Sequence, residues 1–454
     1  MAKLSPARRA AVEVCATVRQ RQAFASDVLT AYLRDAKLSA SDAGFARVLV
    51  LGVVATWGTL DEVINRCLNT PRDVQDDVRD ALRVSTYEVI FLGKDAHAVV
   101  DQGVELVRHV QPKAARLANA VLRKIVRAKL DFPFANPHTD DAALGRKHGF
   151  PAWLAEQLIA QLGRHGADVF MEASNHPAPV FFAVPGLKVD EDRVKRTFAR
   201  EGVTLESVTV ASHAVPGCYH APSTAVAAHA AQYLFREGGL LVSDAAAQVI
   251  ASRVLPEQPG TFLEIGSGRG TKTILIQAHA HRMWDKQMQL TAIDNHGFKA
   301  DLLRKRAQQF GVELEGVRTL DARDLSALGK TLYDGVFLDA PCSGVGTLRR
   351  HPEIRWRLRP ADVRALAELQ LQMLTEASTR VKVGGRLAYA TCTVLAQENE
   401  QVVKAFLESD QGKCFRLVPW DSEDANKVRG LFFKSPLTAA GTDAHFAALF
   451  MRVQ

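Results

Sequence analysis

The sequence predicts a multidomain α plus α/β protein. An all-helical domain is expected over residues 1–135, a small α+β connector over 145–222, and a doubly wound, mainly parallel α/β domain over 223–454. Three observations lead there. Residues 5 to about 130 place apolar side chains at helical spacing and hold little Gly or Pro. Residues 131–150 turn rich in Pro and Asn, the mark of a linker. From about 223 onward, short apolar runs alternate with helical spans, the pattern of βα units on a parallel sheet.

In the first domain, Ala10, Val14 and Val18 fall on one helical face. Leu29 and Leu33, then Val48, Leu51 and Val54, and later Leu117, Val121 and Ile125 repeat the spacing. A helix from Pro151 to about Ala173 opens the connector, followed by a strand over Val180–Val184 and a helix over Asp190–Glu201. In the last domain, strands are expected at Thr261–Ile265, Leu290–Asp294, Val317–Leu320, Gly335–Asp339, Arg386–Ala390 and Phe446–Val453. Phe415–Val418 and the last strand have no long helix between them, so they should pair antiparallel.

At 454 residues, 47% hydrophobic and 24% charged, the chain has length for two or three cores and the composition of a soluble globular protein. No unbroken run of about eighteen apolar residues occurs, so no membrane partner is expected. The start, Met1 to Pro6, lacks the apolar core of a signal peptide, and a cytoplasmic monomer is the expectation. Six scattered cysteines (Cys15, Cys67, Cys218, Cys342, Cys392, Cys414) form no CxxC pair. That argues against zinc and against a disulfide framework, and no metal is expected.

A net charge of +7 and a pI near 9.1 favour an anionic partner. Two basic clusters sharpen the expectation. One runs from Arg108 to Lys129 and includes Arg123 and Lys124; the other holds Arg349, Arg350, Arg355, Arg357, Arg359 and Arg364. Each would also suit a solvated helix face, but two of them favour a track for a phosphate backbone.

Two segments carry the chemistry. Asp339-Ala340-Pro341-Cys342-Ser343-Gly344 and Tyr389-Ala390-Thr391-Cys392-Thr393 each set a cysteine just beyond an expected strand. Strand carboxyl ends line the ligand crevice of an open α/β sheet. Two thiols and an acid at that edge make a cysteine nucleophile, with a second cysteine and a carboxylate in support. A lone cysteine would more often be a small buried hydrophobe; the pair shifts the balance.

The first strand of the sheet runs into Glu264-Ile265-Gly266-Ser267-Gly268-Arg269-Gly270, a turn that lets backbone approach a nucleotide cofactor. Asp294 follows at the tip of the next strand, where an acid binds ribose hydroxyls. Three cofactors compete. A nicotinamide dinucleotide calls for glycine at 271, where Thr271 stands, and a phosphate-binding P-loop lacks its second glycine before Lys272. S-adenosyl-L-methionine needs only a close-approach turn, a ribose acid and an adenine slot. Glu264, Asp294 and Asp321, at successive strand ends, suit its cationic sulfonium, and it leads.

These segments resemble the signatures of the Sun/RsmB family of RNA cytosine-C5 methyltransferases. The first cysteine segment is followed by Arg349-Arg350-His351-Pro352-Glu353-Ile354, and Ala390-Thr391-Cys392-Thr393 is followed by Glu398-Asn399-Glu400. The helical region resembles the NusB-like RNA-binding domain of the RsmB branch at Leu82-Arg83-Val84-Ser85-Thr86-Tyr87, His97-Ala98-Val99 and Asn119-Ala120-Val121-Leu122-Arg123. The resemblance covers nearly the whole chain. It implies a NusB-like helical domain, a connector and a class I, Rossmann-like methyltransferase domain. The activity it implies is formation of 5-methylcytosine in RNA, foremost 16S ribosomal RNA.

Residue roles follow from the same resemblance. Cys392 would add to C6 of the cytosine, Asp339 would hydrogen-bond the base edge near N3, and Cys342 would assist loss of the C5 proton and release. Lys272 would stabilise the Cys392 thiolate, although a solvent-facing lysine at a helix start is an equal reading. Glu264, Gly266, Ser267, Gly268, Gly270, Asp294, Asp321 and Asp339 would hold the cofactor; Arg349, Arg350, His351, Arg123 and Lys124 would contact RNA. A base reacting at C5 must leave its stack, which implies a loop, a single strand or a flipped nucleotide.

The chain departs from the family pattern in its glycine turn, at Ser243-Asp244, at Asp443-Ala444-His445-Phe446 and at Phe182-Ala183-Val184-Pro185. The alternatives are an inactive RNA-binding ribosome-assembly factor, or a methyltransferase acting on tRNA or another RNA. Both cysteines standing with Asp339 argue against the inactive factor, and an oxidoreductase fails on the glycine spacing.

Overall fold

The periodic apolar residues of the N-terminal region fold as α1 (Pro6–Arg21), α2 (Ala25–Asp35), α3 (Ala40–Cys67), α4 (Asp76–Ile90), α5 (Ala96–Val110) and α6 (Ala115–Ala128) in a computed structural model that describes residues 4–211, 213–420 and 430–454. α3 is the central element. Ser39 Oγ caps it by accepting from Asp42 N at 3.1 Å. Leu49, Val50, Val53, Leu60, Val63 and Ile64 along it are buried, packed against α1, α4 and α6. By length and composition α3 would also suffice to cross a membrane, but here its apolar face is the core of the bundle.

The Pro- and Asn-rich stretch is more than the linker the sequence suggested. Asp140 caps α7 (Asp141–His148), its Oδ1 accepting from Ala143 N, and Gly149 in left-handed backbone ends it. α8 (Ala152–Ala173) comes next. Arg146 Nε donates to Pro133 O at 2.8 Å and Asn175 Nδ2 to His148 O at 2.9 Å, so these helices are tied to the chain before and after them. By contacts the chain divides into two units rather than three. One holds residues up to 177 together with 348–359, and the other holds 178–347 with 360–454.

The second unit begins with β1 (Phe181–Ala183), α9 (Glu191–Ala199), β2 (Glu206–Val210), β3 (His213–His220), α10 (His229–Glu237) and β4 (Leu241–Val242). The strands form an antiparallel sheet in the order β2-β3-β1-β4. Because β4 comes from beyond residue 222, the connector sheet belongs to the same unit as the large α/β sheet. That part of the chain runs through α11 (Ala245–Arg253), β5 (Thr261–Ile265), α12 (Thr271–Trp284), β6 (Gln289–Asp294), α13 (Gly297–Phe310), β7 (Gly316–Thr319) and β8 (Tyr333–Asp339). After the segment 348–359, which carries the short helix α14 (Ile354–Arg357), the unit resumes with α15 (Pro360–Ser378) and β9 (Val381–Thr391). It closes with α16 (Glu400–Glu408), β10 (Phe415–Val418), β11 (Phe432–Lys434) and β12 (Phe446–Arg452).

The large sheet has the order β10-β12-β9-β8-β5-β6-β7, with β11 also paired to β12. β5 to β9 run parallel and β12 runs antiparallel to β9 and β10, as the late strand pair suggested. Alternation along the strands sends Phe262, Phe337 and Ala388 into one buried layer, and Leu263, Ile265, Val336, Leu338, Leu387 and Tyr389 into the other. Burial on both faces explains why these strands read as unbroken apolar runs. From β5 the chain steps outward to β6 and β7, then returns to place β8 on the other side of β5. That reversal opens a crevice at the carboxyl ends of β5 and β8, where such sheets bind ligands.

Candidate active site

The glycine turn succeeds β5 directly. Gly266 has φ 81°, and a Cβ there would lie 2.4 Å from the Asp339 carbonyl oxygen at the end of β8. Only glycine lets the two strand ends approach so closely. Gly268 N donates to Asp294 Oδ2 at 3.0 Å, while Asp294 Oδ1 accepts from His296 N at 3.0 Å and lies 3.3 Å from Lys299 Nζ. The ribose acid expected at the tip of β6 is therefore held rigidly beside the turn. Asp321, after β7, is half exposed and paired with Arg323, which pulls its carboxyl down to about 2.

Lys272, in the first turn of α12, does not face solvent. Its Nζ donates to Asp339 Oδ2 at 2.6 Å, and its side chain is 17% exposed. Burial works to lower its pKa, but the Asp339 carboxylate, Cys392 and Glu264 outweigh that and leave it raised. Glu264 is fully buried under the turn with both carboxylate oxygens lacking a partner, and burial pushes its pKa up to about 7.

β8 and β9 are neighbours, so the two cysteines beyond their ends meet. Cys342 Sγ and Cys392 Sγ are 3.3 Å apart, and Cys392 N also points at Cys342 Sγ, at 3.3 Å. The hydrogen bond to Cys392, then burial, push the Cys342 thiol well above its usual range. Gly346 locks the loop from below: its N donates to Cys392 O at 3.0 Å and its carbonyl accepts from Ala444 N at 3.0 Å.

One cavity of about 510 Å³ is lined by Gly266, Gly268, Lys272, Asp294, Asp321, Asp339, Cys342 and Cys392. That volume suits a small organic ligand. Of the other expected cofactor residues, Glu264 and Ser267 are buried behind the wall, and Gly270 packs on Leu303 of α13. Asn295, Lys299, Arg323, Leu369 and Met373 also line the cavity and were not anticipated. Leu369 and Met373 sit one helical turn apart on α15, a spacing visible in the sequence but shared with any amphipathic helix. Among the described residues no cluster of three or more His, Cys, Asp or Glu side chains could hold a metal ion.

The residues expected to meet RNA belong to the helical unit. Arg123 and Lys124 are exposed on α6, with Arg123 Nε near Asn119 Oδ1 and Lys124 Nζ on Cys67 O. Arg349, Arg350 and His351 fall in the segment 348–359; Arg349 is buried, and His351 packs on Phe24 at 4.9 Å. The idea that this second cluster is one phosphate track fails at Arg355. That side chain is wholly buried, donating to Ser174 O and Asn175 Oδ1 at 2.8 Å each, with its guanidinium 4.1 Å from the Phe150 ring centroid. Arg357 likewise donates to Gln22 O and Ala23 O.

Comparison with known proteins accords with this geometry. Residues 252–451 match the model for 16S rRNA methyltransferase RsmB/F, and residues 5–127 match the NusB family. Ribosomal RNA small subunit methyltransferase B of Sodalis glossinidius is 30% identical over 380 residues, covering 82% of each chain. The chain belongs to the RsmB/F family of rRNA methyltransferases. Its fold recurs among solved structures. PH0851 superposes over all of both chains with a TM-score of 0.76 at 24% identity. NSun6 from Pyrococcus horikoshii, solved with SFG, covers 66% of this chain and 97% of its own, with a TM-score of 0.55 at 16% identity.

The RsmB/F domain thus has the class I methyltransferase fold, preceded in the chain by a NusB helical domain. S-adenosylmethionine is the methyl donor that family and fold call for. The residues present fit it. The turn admits close approach at Gly266, and Asp294 is fixed beside it in the cavity wall.

Proposed function

We propose that this RsmB/F protein methylates C5 of a cytosine in small-subunit ribosomal RNA through a transient bond between Cys392 and C6 of the base. One observation carries the reading: two thiols 3.3 Å apart stand beside Asp339 in the wall of the cofactor cavity. Addition of the Cys392 thiolate to C6 forms a C–S bond and moves the ring electrons toward N3 and C5. Asp339, anchored by Lys272, meets the base edge where that charge collects. When bound, S-adenosylmethionine supplies an electrophilic methyl group to the enriched C5.

Release needs a base for the C5 proton, and the thiol pair supplies it in sequence. Before attack, the hydrogen bond to Cys392 and then burial keep the proton on Cys342. Once Cys392 is tied up as a thioether that influence weakens, and Cys342 gives its own proton up to solvent. Its thiolate then takes the C5 proton, the C5–C6 double bond re-forms, and the Cys392 thiolate leaves. The exposed Arg123 and Lys124, with Arg350 and His351, are proposed to hold the RNA backbone.

Incubating the protein with S-adenosylmethionine and 16S rRNA, then digesting to nucleosides for mass spectrometry, tests the reading. New 5-methylcytidine at one position is expected. Methyl groups on another base, or on tRNA in preference, would overturn it.

A further inference from the structure

Behind the two cysteines lies a buried polar network that the chemistry above does not use. Glu398 and Asn399 are adjacent, 0% and 3% exposed, and each grips the residues flanking one cysteine. On the Cys342 side, Glu398 Oε1 accepts from Ser343 N at 2.8 Å, and Oε2 accepts from Ser343 Oγ. Gln370 Nε2 bridges Glu398 Oε1 at 3.0 Å and Pro341 O at 2.8 Å. Both neighbours of Cys342 are thereby fixed. On the Cys392 side, Asn399 Oδ1 accepts from Thr391 Oγ1 at 2.6 Å, and its Nδ2 donates to Thr393 O at 3.0 Å. Both neighbours of Cys392 are fixed too. The halves join where Ser343 Oγ lies 2.9 Å from Thr393 Oγ1, and Tyr389 donates its hydroxyl to Glu398 O.

We propose that Glu398 and Asn399 are positioning residues that divide the work of the site: Glu398 aims Cys342 for release, and Asn399 aims Cys392 for attack. The proposal rests on the reading that Cys392 attacks and Cys342 releases. A buried carboxylate is an expensive way merely to fill space, because it must be fully hydrogen-bonded to be tolerated. Here its carboxylate accepts from the amide and the hydroxyl of Ser343, on the loop that carries Cys342, and from Gln370, which also holds that loop's Pro341 carbonyl. The amide of Asn399 supplies both a donor and an acceptor, and these meet the Thr393 carbonyl and the Thr391 hydroxyl respectively. Displacing a reacting group by about 1 Å can lower a rate about 10²-fold, so each clamp has a kinetic consequence of its own.

The test compares Glu398→Ala, Glu398→Gln, Asn399→Ala and Cys342→Ala on 16S rRNA with S-adenosylmethionine. Three readouts are taken: the first turnover, the steady-state rate, and protein–RNA adduct surviving denaturation. Glu398→Ala should keep the first turnover, lose about 10²-fold in steady-state kcat with KM little changed, and accumulate adduct. Glu398→Gln, whose amide still accepts from Ser343 N, should recover most of the loss. Asn399→Ala should slow the first turnover and form little adduct. A merely structural role would depress all readouts together in both variants, and that result overturns the division of labour. Should Glu398→Ala fail to fold, Ser343→Ala removes one ligand of the same clamp, and its lack of adduct would count equally against the proposal. If Cys342→Ala itself gives no adduct, the underlying reading fails; if it does and Glu398→Ala does not, only the positioning proposal fails.

Discussion

Gly346 offers the sharpest structural perturbation of the site. It is wedged between the Cys392 loop and the approach to β12, giving a hydrogen bond to each. A Cβ at this position would lie 2.0 Å from Ala444 O and 2.8 Å from Cys392 O, both backbone atoms with no rotamer to retreat into. Gly346→Ala therefore forces the loops apart by roughly an ångström or more at the Ala444 contact. Two backbone hydrogen bonds, each worth about 0.5–1.5 kcal/mol net, are strained or lost. Overpacking adds roughly 1–3 kcal/mol. The local penalty is then about 2–6 kcal/mol, most of it falling on the segment that aims Cys392. With a displacement of about 1 Å at Cys392, methyl transfer should drop about 10²-fold. Initial rates of methyl incorporation into 16S rRNA, read alongside thermal melting, measure both effects. A Gly346→Ala protein that folds and transfers methyl within about threefold of wild type would refute the idea that Cys392 is held in place through this glycine.

Other expectations concern the core, the cofactor wall and the RNA surface. Arg355→Met leaves Ser174 O and Asn175 Oδ1 without their donor, at roughly 1–3 kcal/mol for each unsatisfied group, so chemical denaturation should show a clear loss; a midpoint equal to wild type would contradict the anchor role. Glu264 ionises near pH 7 when folded, against about 4.3 in an unfolded chain, so its contribution to stability is full below about pH 4 and lost as pH rises through 7. The melting temperature of Glu264→Gln should therefore gain on wild type between about pH 4 and pH 7 and then run parallel; a constant offset across that window would count against a buried neutral carboxyl. RNA affinity should fall steeply with salt, and Arg123→Ala should lower the slope of the log–log plot by about one if Arg123 neutralises a phosphate. An unchanged slope removes Arg123 from the interface.

What could be read from the sequence divides along physical lines. β5, β8 and β9 were legible because burial on both faces leaves unbroken apolar runs, and the meeting of Cys342, Cys392 and Asp339 at one cavity was legible because each ends or follows a strand. The start of β9 at Val381 was not, since Lys382 and Gly384–Gly385 interrupt its pattern. The helix α7 was hidden by Pro133 and Pro137, although Asp140 and Gly149 at its ends are ordinary cap residues. Arg355 misled because a run of arginines reads as surface charge; its bed of oxygen acceptors is assembled from residues 174 and 175, far away in sequence. Lys272 needed the partner in β8 to choose between solvent and site. β4 has only two residues, Pro216 and Gly217 interrupt β3, and β2 buries only Val210, so none of the three shows an apolar period.

The proposed bond from Cys392 to C6 is undone by loss of the C5 proton. RNA carrying 5-fluorocytidine in place of cytidine tests it directly, because fluorine at C5 leaves no proton to remove after methyl transfer. The wild-type protein, given this RNA and S-adenosylmethionine, should form an adduct stable to denaturation, and mass spectrometry of its peptides should find the nucleotide on Cys392. An adduct on Cys342 would reverse the roles of the two thiols, and methylation without any adduct would contradict the account.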